Sequence, residues 1–323
     1  MTGCLPRNAT AAVLFLLAAG LAGCGKGGGG ADGEGVTVPQ VSAALAASEA
    51  EWREARRAAL VAEDGWTSLV GLHWLELPAH YVGSSATSGI RLALGPEKLG
   101  LVQQERGRVW FSPEPGTEVT AEGVPLKGRI ELRDAAGPEP TELVFDEGAG
   151  RLSLITRGQR RALRMKHAAA PARTDFAGID YWPVDPGWLL EASFVPHPAG
   201  QTIEIGNIVG GIDQLPNPGA VEFSRDGADY RLEAIEGEGG GLFLILADRT
   251  SGHESYGAGR YLETSAPDAQ GRVTLNFNRT YNPPCAFTDF ATCPLPPPDN
   301  RLDLAVRAGE KSYARPAPAG PAG

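Results

Sequence analysis

Apolar positions in this chain come in short runs, most of them broken by Gly, Pro, Asp or Asn. Beyond residue 67 the runs are Ser68–Leu75, Ile90–Leu94, Arg108–Phe111, Glu118–Ala121, Glu142–Phe145, Leu152–Thr156 and Ala162–Met165. They continue at Leu189–Phe194, Thr202–Ile208, Ala220–Phe223, Tyr230–Ile235, Leu242–Ala247 and Val273–Asn278. Short alternating or apolar runs bounded by turn formers predict strands. One stretch departs from this. Residues 42–62, within a 41–66 segment, are rich in Ala, Glu and Arg and contain neither Pro nor Gly. That pattern predicts a helix, capped by Ser42 and stopped near Asp64-Gly65. Leu45, Trp52, Ala55 and Ala59 fall near one face, which the spacing assigns to the core.

The expected fold class is therefore mainly β, with β-sandwich or barrel-like units and one N-terminal α-helix. Glycine (43) and proline (26) together exceed a fifth of the 323 residues, which argues against a helical bundle. Lys166–Gly187 is dense in turn formers and marks the seam between a first β unit, 67–166, and a second, 167–313. Residues 314–323 read as a disordered tail. Alternation along Ser68–Leu75 places Leu69, Gly71, His73 and Leu75 on one face, with Val70, Leu72 and Trp74 on the other. Trp182 and Trp188 suit core packing better than a sugar platform. The formal charge is −10. Without a basic face to displace phosphate counterions, a nucleic-acid partner is excluded.

The N-terminus changes the picture. Arg7 precedes the apolar run Ala11–Ala22, whose dozen residues are too few to span a bilayer core of about 30 Å. The run ends in Leu21-Ala22-Gly23-Cys24, which resembles the lipobox of bacterial lipoproteins. The resemblance implies cleavage of a 1–23 signal peptide and lipidation of Cys24. Residues 24–40 then form a Gly-rich tether, and Gly25 after the cysteine implies the periplasmic face of the outer membrane. The expected partners are the membrane, through the lipid anchor, and a small-molecule ligand. After Cys4 and Cys24, only Cys285 and Cys293 are left. In an oxidising compartment they form a disulfide, with a metal pair as the rival reading.

Signatures of familiar chemistry are missing. The chain has no Gly-x-Ser-x-Gly elbow, no His-Glu-x-x-His and no phosphate loop, so no cofactor and no metal is expected. Polar groups instead crowd 247–310. Two readings of that cluster stand. In one, Asp248, Arg260 and Glu310 form a buried ion network. In the other they border a pocket, where Arg260 takes an anionic group and Tyr256, Asn278, Tyr281 and Asn282 hydrogen-bond the rest. If the pocket is catalytic, Asp248 or Glu310 is the acid or base, with His73 as a further candidate.

Several stretches together resemble the family called domain of unknown function 1684. They are Asp64-Gly65-Trp66 through Gly71-Leu72-His73-Trp74-Leu75, Ala247–Gly252, Tyr256–Leu262, Asn276–Phe287, Cys293–Pro297, Asn300-Arg301-Leu302 and Ala308–Lys311. This family commonly has aspartate where the chain has Asn276. The resemblance brings no activity. More faintly, Gly83-Ser84, Ile90–Leu94 and Gly123-Val124-Pro125-Leu126 are similar to forkhead-associated β-sandwiches. The phosphate-reading arginine is replaced by Ser84 and Ser-x-x-His is absent, so only the sandwich is implied. The chain thus reads as an envelope lipoprotein that binds a small polar or anionic ligand, with a cofactor-independent hydrolase or a ligand-free structural protein as alternatives.

Overall fold

The N-terminal helix forms where the composition places it. In the computed structural model, which describes residues 40–315, helix α1 spans Ala43–Val61, and Ser42 Oγ accepts from Leu45 N at 3.1 Å. A 3₁₀ turn follows at Trp66–Ser68, pinned by Thr67 Oγ1 donating to Leu60 O. The helix presents a different face from the one the spacing predicts. Ala55 and Ala59 are exposed, and Glu49, Arg53, Arg56 and Leu60 face inward. The reason is the surface it meets: α1 lies against polar C-terminal loops, so charge pairs rather than an apolar stripe dock it.

Beyond the helix the chain is β. One six-stranded sheet runs in the order Leu69–Trp74, Arg160–His167, Gly150–Arg157, Glu142–Phe145, Val119–Ala121, Val124–Pro125. A five-stranded sheet runs Ile90–Arg91, Ala79–Gly83, Gly100–Glu105, Arg108–Pro113, Ile130–Leu132. Both feed one apolar core, with Leu143, Leu152, Leu163 and Met165 from the first sheet and Val82, Val102, Val109 and Phe111 from the second. Two sheets sharing one core make a sandwich-like unit. Strict alternation fails at its first strand. A bulge between Leu69 and Gly71 shifts the register, and Val70 and Leu75 enter the same core.

The second unit is a six-stranded antiparallel sheet: Arg260–Thr264, Leu242–Leu246, Ala228–Glu236, Gly219–Arg225, Leu189–Pro196, Arg272–Asn276. Its two edge strands approach each other, so the sheet curls almost into a barrel. Leu232, Leu244, Leu262, Leu275 and Phe277 fill the interior, and the C-terminal segment supplies Leu302, Leu304, Val306 and Ala308. A separate hairpin, Thr202–Gly206 with Ile212–Pro216, packs outside it against Ile245 and Tyr261. Trp182 and Trp188 are both buried, so neither offers a sugar platform.

Both β units belong to one compact unit from Pro39 onward, with the last strand of the first ending at His167 and the first strand of the second beginning at Leu189. Arg315 is docked rather than part of a loose tail: it donates to Ala286 O at 2.8 Å and pairs with Asp289. Among the described residues no helix is long and apolar enough to cross a membrane. The expected signal peptide, Cys24, the tether up to residue 39 and residues 316–323 lie outside the described residues.

Candidate functional site

The polar residues singled out in 247–310 do converge, and they do so in the interior. The loop Asp248–Ser255 is closed by Asp248, whose Oδ1 accepts from Thr250 N at 2.8 Å and from Thr250 Oγ1 at 2.6 Å. Its Oδ2 accepts from Arg260 Nη2 at 2.9 Å. Arg260 is wholly buried, and the rest of its fork donates to backbone carbonyls. Nη2 reaches Val306 O at 2.7 Å, while Nη1 reaches Ala308 O and Glu310 O. The guanidinium also sits 5.1 Å from the centre of the Trp182 ring. Through its two Nη atoms this arginine binds the C-terminal strap 306–310 and Asp248, while Nε is buried without a partner, so no exposed donor faces an anionic ligand from solvent. Burial pushes its pKa down, while Asp248 pulls it back up.

Glu310 terminates the strap. Its carboxylate accepts from Arg56 Nε at 2.9 Å and from Asn282 N at 2.7 Å, with no side-chain exposure. Burial raises its pKa against the opposing pull of Arg56. Gly309, with φ of 77° and its backbone against Thr280, lies where any Cβ would collide. Asn278 clamps a distant loop, with Oδ1 accepting from Asp185 N and Nδ2 donating to Asp185 O, both at 2.9 Å. Asn282 donates to Lys311 O, and Tyr256 packs beside the Cys285–Cys293 disulfide.

Asp248, Arg260, Glu310, Asn278 and Asn282 therefore act as internal fasteners. Both carboxylates proposed as acid or base are sealed from water, at 1% and 0% side-chain exposure. His73 lies far along the chain on the first sheet. Its ring packs over Gly71, and burial lowers its pKa while Nε2 has no hydrogen-bond partner.

Tyr281 is the exception, because it opens onto a cleft of about 640 Å³ between α1 and the outer side of the curled sheet. The helix contributes Trp52, Ala55, Arg56 and Ala59; Trp66 closes one end. The sheet contributes Phe243, Tyr261 and Glu263, with Glu236 and Glu238 at the rim. The helical stripe that the spacing assigned to the core is the wall of this cleft. Two small residues on that wall, Ala55 and Ala59, leave the hollow unfilled. Arg56 crosses from network to cleft: it pairs with Glu310, donates to Asn282 O at 2.8 Å and stands 4.5 Å over the Tyr281 ring. Tyr281 in turn donates its hydroxyl to Glu263. Burial and Glu263 both push the Tyr281 hydroxyl pKa up, so it stays a donor.

Residues 174–311 match the family described as Protein of unknown function (DUF1684). The chain belongs to the DUF1684 family. A solution NMR structure of an uncharacterized protein from Haloarcula marismortui is 34% identical, covering 43% of this chain and 78% of that one, with a TM-score of 0.36. No curated protein matches. The DUF1684 match covers the sheet side of the cleft and the fasteners Asp248, Arg260, Asn278, Asn282 and Glu310, whereas α1, with Arg56, and Trp66 lie upstream of it.

Three side chains of this arrangement escape a reading of local pattern: Glu49, Arg53 and Arg56. Glu49 is fully buried, taking Arg279 Nε at 3.0 Å and Asn276 Nδ2 at 2.7 Å. Arg53 donates to Trp182 O at 3.0 Å and lies 4.3 Å over the Tyr181 ring. Their signal is a helical period written in charges, at positions 49, 53 and 56. At position 276 the amide supplies a donor to Glu49, where an aspartate would set a second carboxylate against it.

Proposed function

We propose that this DUF1684 protein is a lipid-anchored envelope protein that binds a small polar organic ligand in the cleft between α1 and the curled sheet. The lipobox-like Leu21–Cys24 supports the anchor. The observation that carries the binding reading is the cleft wall. Trp52, Trp66, Phe243, Tyr261 and Tyr281 give apolar area, while Arg56 and Glu263 supply polar groups held by partners of their own. A mostly apolar hollow with a few oriented polar groups is the usual form of a small-molecule site. An anion on Arg260 gains no support, because both Nη atoms are engaged and the whole side chain is buried. Hydrolysis by Asp248 or Glu310 gains none either, since neither carboxylate reaches solvent.

The full chain, extracted from membranes in mild detergent, is the material for the test. Native mass spectrometry is expected to show bound mass that denaturation removes and that Ala59→Trp, which fills the cleft from an exposed helix position, abolishes. A chain that is bare in both forms, and that gains no mass from its own cell extract, overturns the binding reading in favour of a structural role. Cys24→Ser is expected to release the protein from the membrane fraction; retention there overturns the anchor.

A further inference from the structure

The cleft's electrostatics narrow the ligand class, and this step rests on the binding reading above. Among the described residues, Glu236, Glu238 and Glu263 form no salt bridge, although most exposed arginines around the fold find a carboxylate partner. Three unneutralised carboxylates thus converge on one hollow, and its single lining cation, Arg56, is already spent on Glu310. The walls between them are π faces. Two of these rings already attract cations of the protein itself: Arg56 lies over Tyr281, and Arg164 and Lys166 stand 5.8 and 5.7 Å from the Trp66 ring centre. Trp52 is half-buried, touches Tyr181 only edge-on at 6.5 Å and has no protein cation assigned to its face.

We infer that the cleft binds an organic cation, a substituted ammonium whose apolar groups lie on Trp52 and Phe243 and whose charge faces Glu263 and the rim. Aromatic faces attract such ions through the ring quadrupole, and nearby carboxylates add long-range attraction. A neutral sugar uses the same rings but gains nothing from the charges of Glu236, Glu238 and Glu263, and an anion is repelled by them.

The test is a titration of intrinsic tryptophan fluorescence, since Trp52 and Trp66 line the cleft. The probes are choline, its uncharged isostere 3,3-dimethylbutan-1-ol, and acetate. Choline is expected to bind about tenfold more tightly than the isostere, with acetate silent. Glu263→Gln keeps an acceptor for the Tyr281 hydroxyl and is expected to weaken choline about fivefold, leaving the isostere unchanged. Ala59→Trp is expected to abolish both. Equal affinities for choline and the isostere, or a Glu263→Gln variant that binds choline normally, overturn the cation while leaving the cleft reading intact. Silence from all three probes, in a protein that also carries no bound mass, overturns both.

Discussion

The two β units of this protein are held together by different means. The sandwich of residues 69–167 has one apolar core drawn from two sheets, and its ion pairs, such as Arg133–Glu122 and Arg151–Glu142, lie at the surface. The curled sheet and its C-terminal strap bury charge instead, with Arg260, Asp248, Glu310 and Glu49 all in the interior. Apolar packing fixes a shape without orienting any particular group. A buried guanidinium with four acceptors fixes where a loop runs. The irregular, proline-rich part of the chain needs the second method, because its prolines remove backbone donors from any ladder. The only large aromatic cleft described above opens beside the charge-fastened part, with Arg56 belonging to both.

The contrast breaks most visibly at Arg260. Arg260→Ala removes the cation paired with buried Asp248 and strips a donor from the carbonyls of Val306, Ala308 and Glu310, and is expected to cost about 3–5 kcal/mol in chemical denaturation. Adding Asp248→Leu is not expected to recover this, since the carbonyls of Val306 and Glu310 still lack the arginine and the amides of Thr250 and Val306 lose their acceptor. A loss below about 1 kcal/mol for the single variant would show that the strap holds without its arginine. In the sandwich, Leu163→Ala is expected to cost about 3 kcal/mol through cavity formation alone, and a Leu163→Met change less than about 1.5 kcal/mol. If the conservative swap costs as much as the truncation, the sandwich is not a simple apolar core. Next in size is the disulfide. Cys285→Ser with Cys293→Ser is expected to remove about 2.5 kcal/mol, read as a lower melting temperature, because the bridge closes a short loop.

The smallest effect separates the units by pH. His73 has its pKa lowered by burial from an ordinary value of 6.5, so the unfolded chain binds the proton more readily than the folded one. Stability is therefore expected to fall as pH drops below about 6.5. His73→Gln is expected to flatten that slope in urea titrations at stepped pH. An unchanged slope assigns the acid sensitivity elsewhere.

Much of this was legible in order along the chain. Ser42 and the absence of Pro and Gly mark α1 to within a residue of its ends, and the punctuated apolar runs mark the strands. The convergence of Asp248, Arg260 and Glu310 was legible from their chemistry, since charges in a segment without regular strand require partners. The orientation of α1 was not. Its buried face is decided by Arg279, Asn276, Glu310 and Asn282, more than 220 residues away. No local period encodes a partner at that distance, so the stripe Trp52, Ala55, Ala59 looked like core and forms the cleft wall. Likewise the bulge at Leu69–Gly71 is set by pairing with Lys166 and Met165, not by the strand's own residues.

The strap also imposes an order in time. Arg260 finds its carbonyl partners 46, 48 and 50 residues later in the chain, and Arg56 waits 254 residues for Glu310. Every strand of the curled sheet is synthesised before those partners exist. Until Leu302–Glu310 emerges, docking the edge strand Arg260–Thr264 would bury an unanswered guanidinium, which is strongly unfavourable. Closure of that edge is therefore expected to wait for the strap, the same segment that carries Glu310 to Arg56 on the first helix.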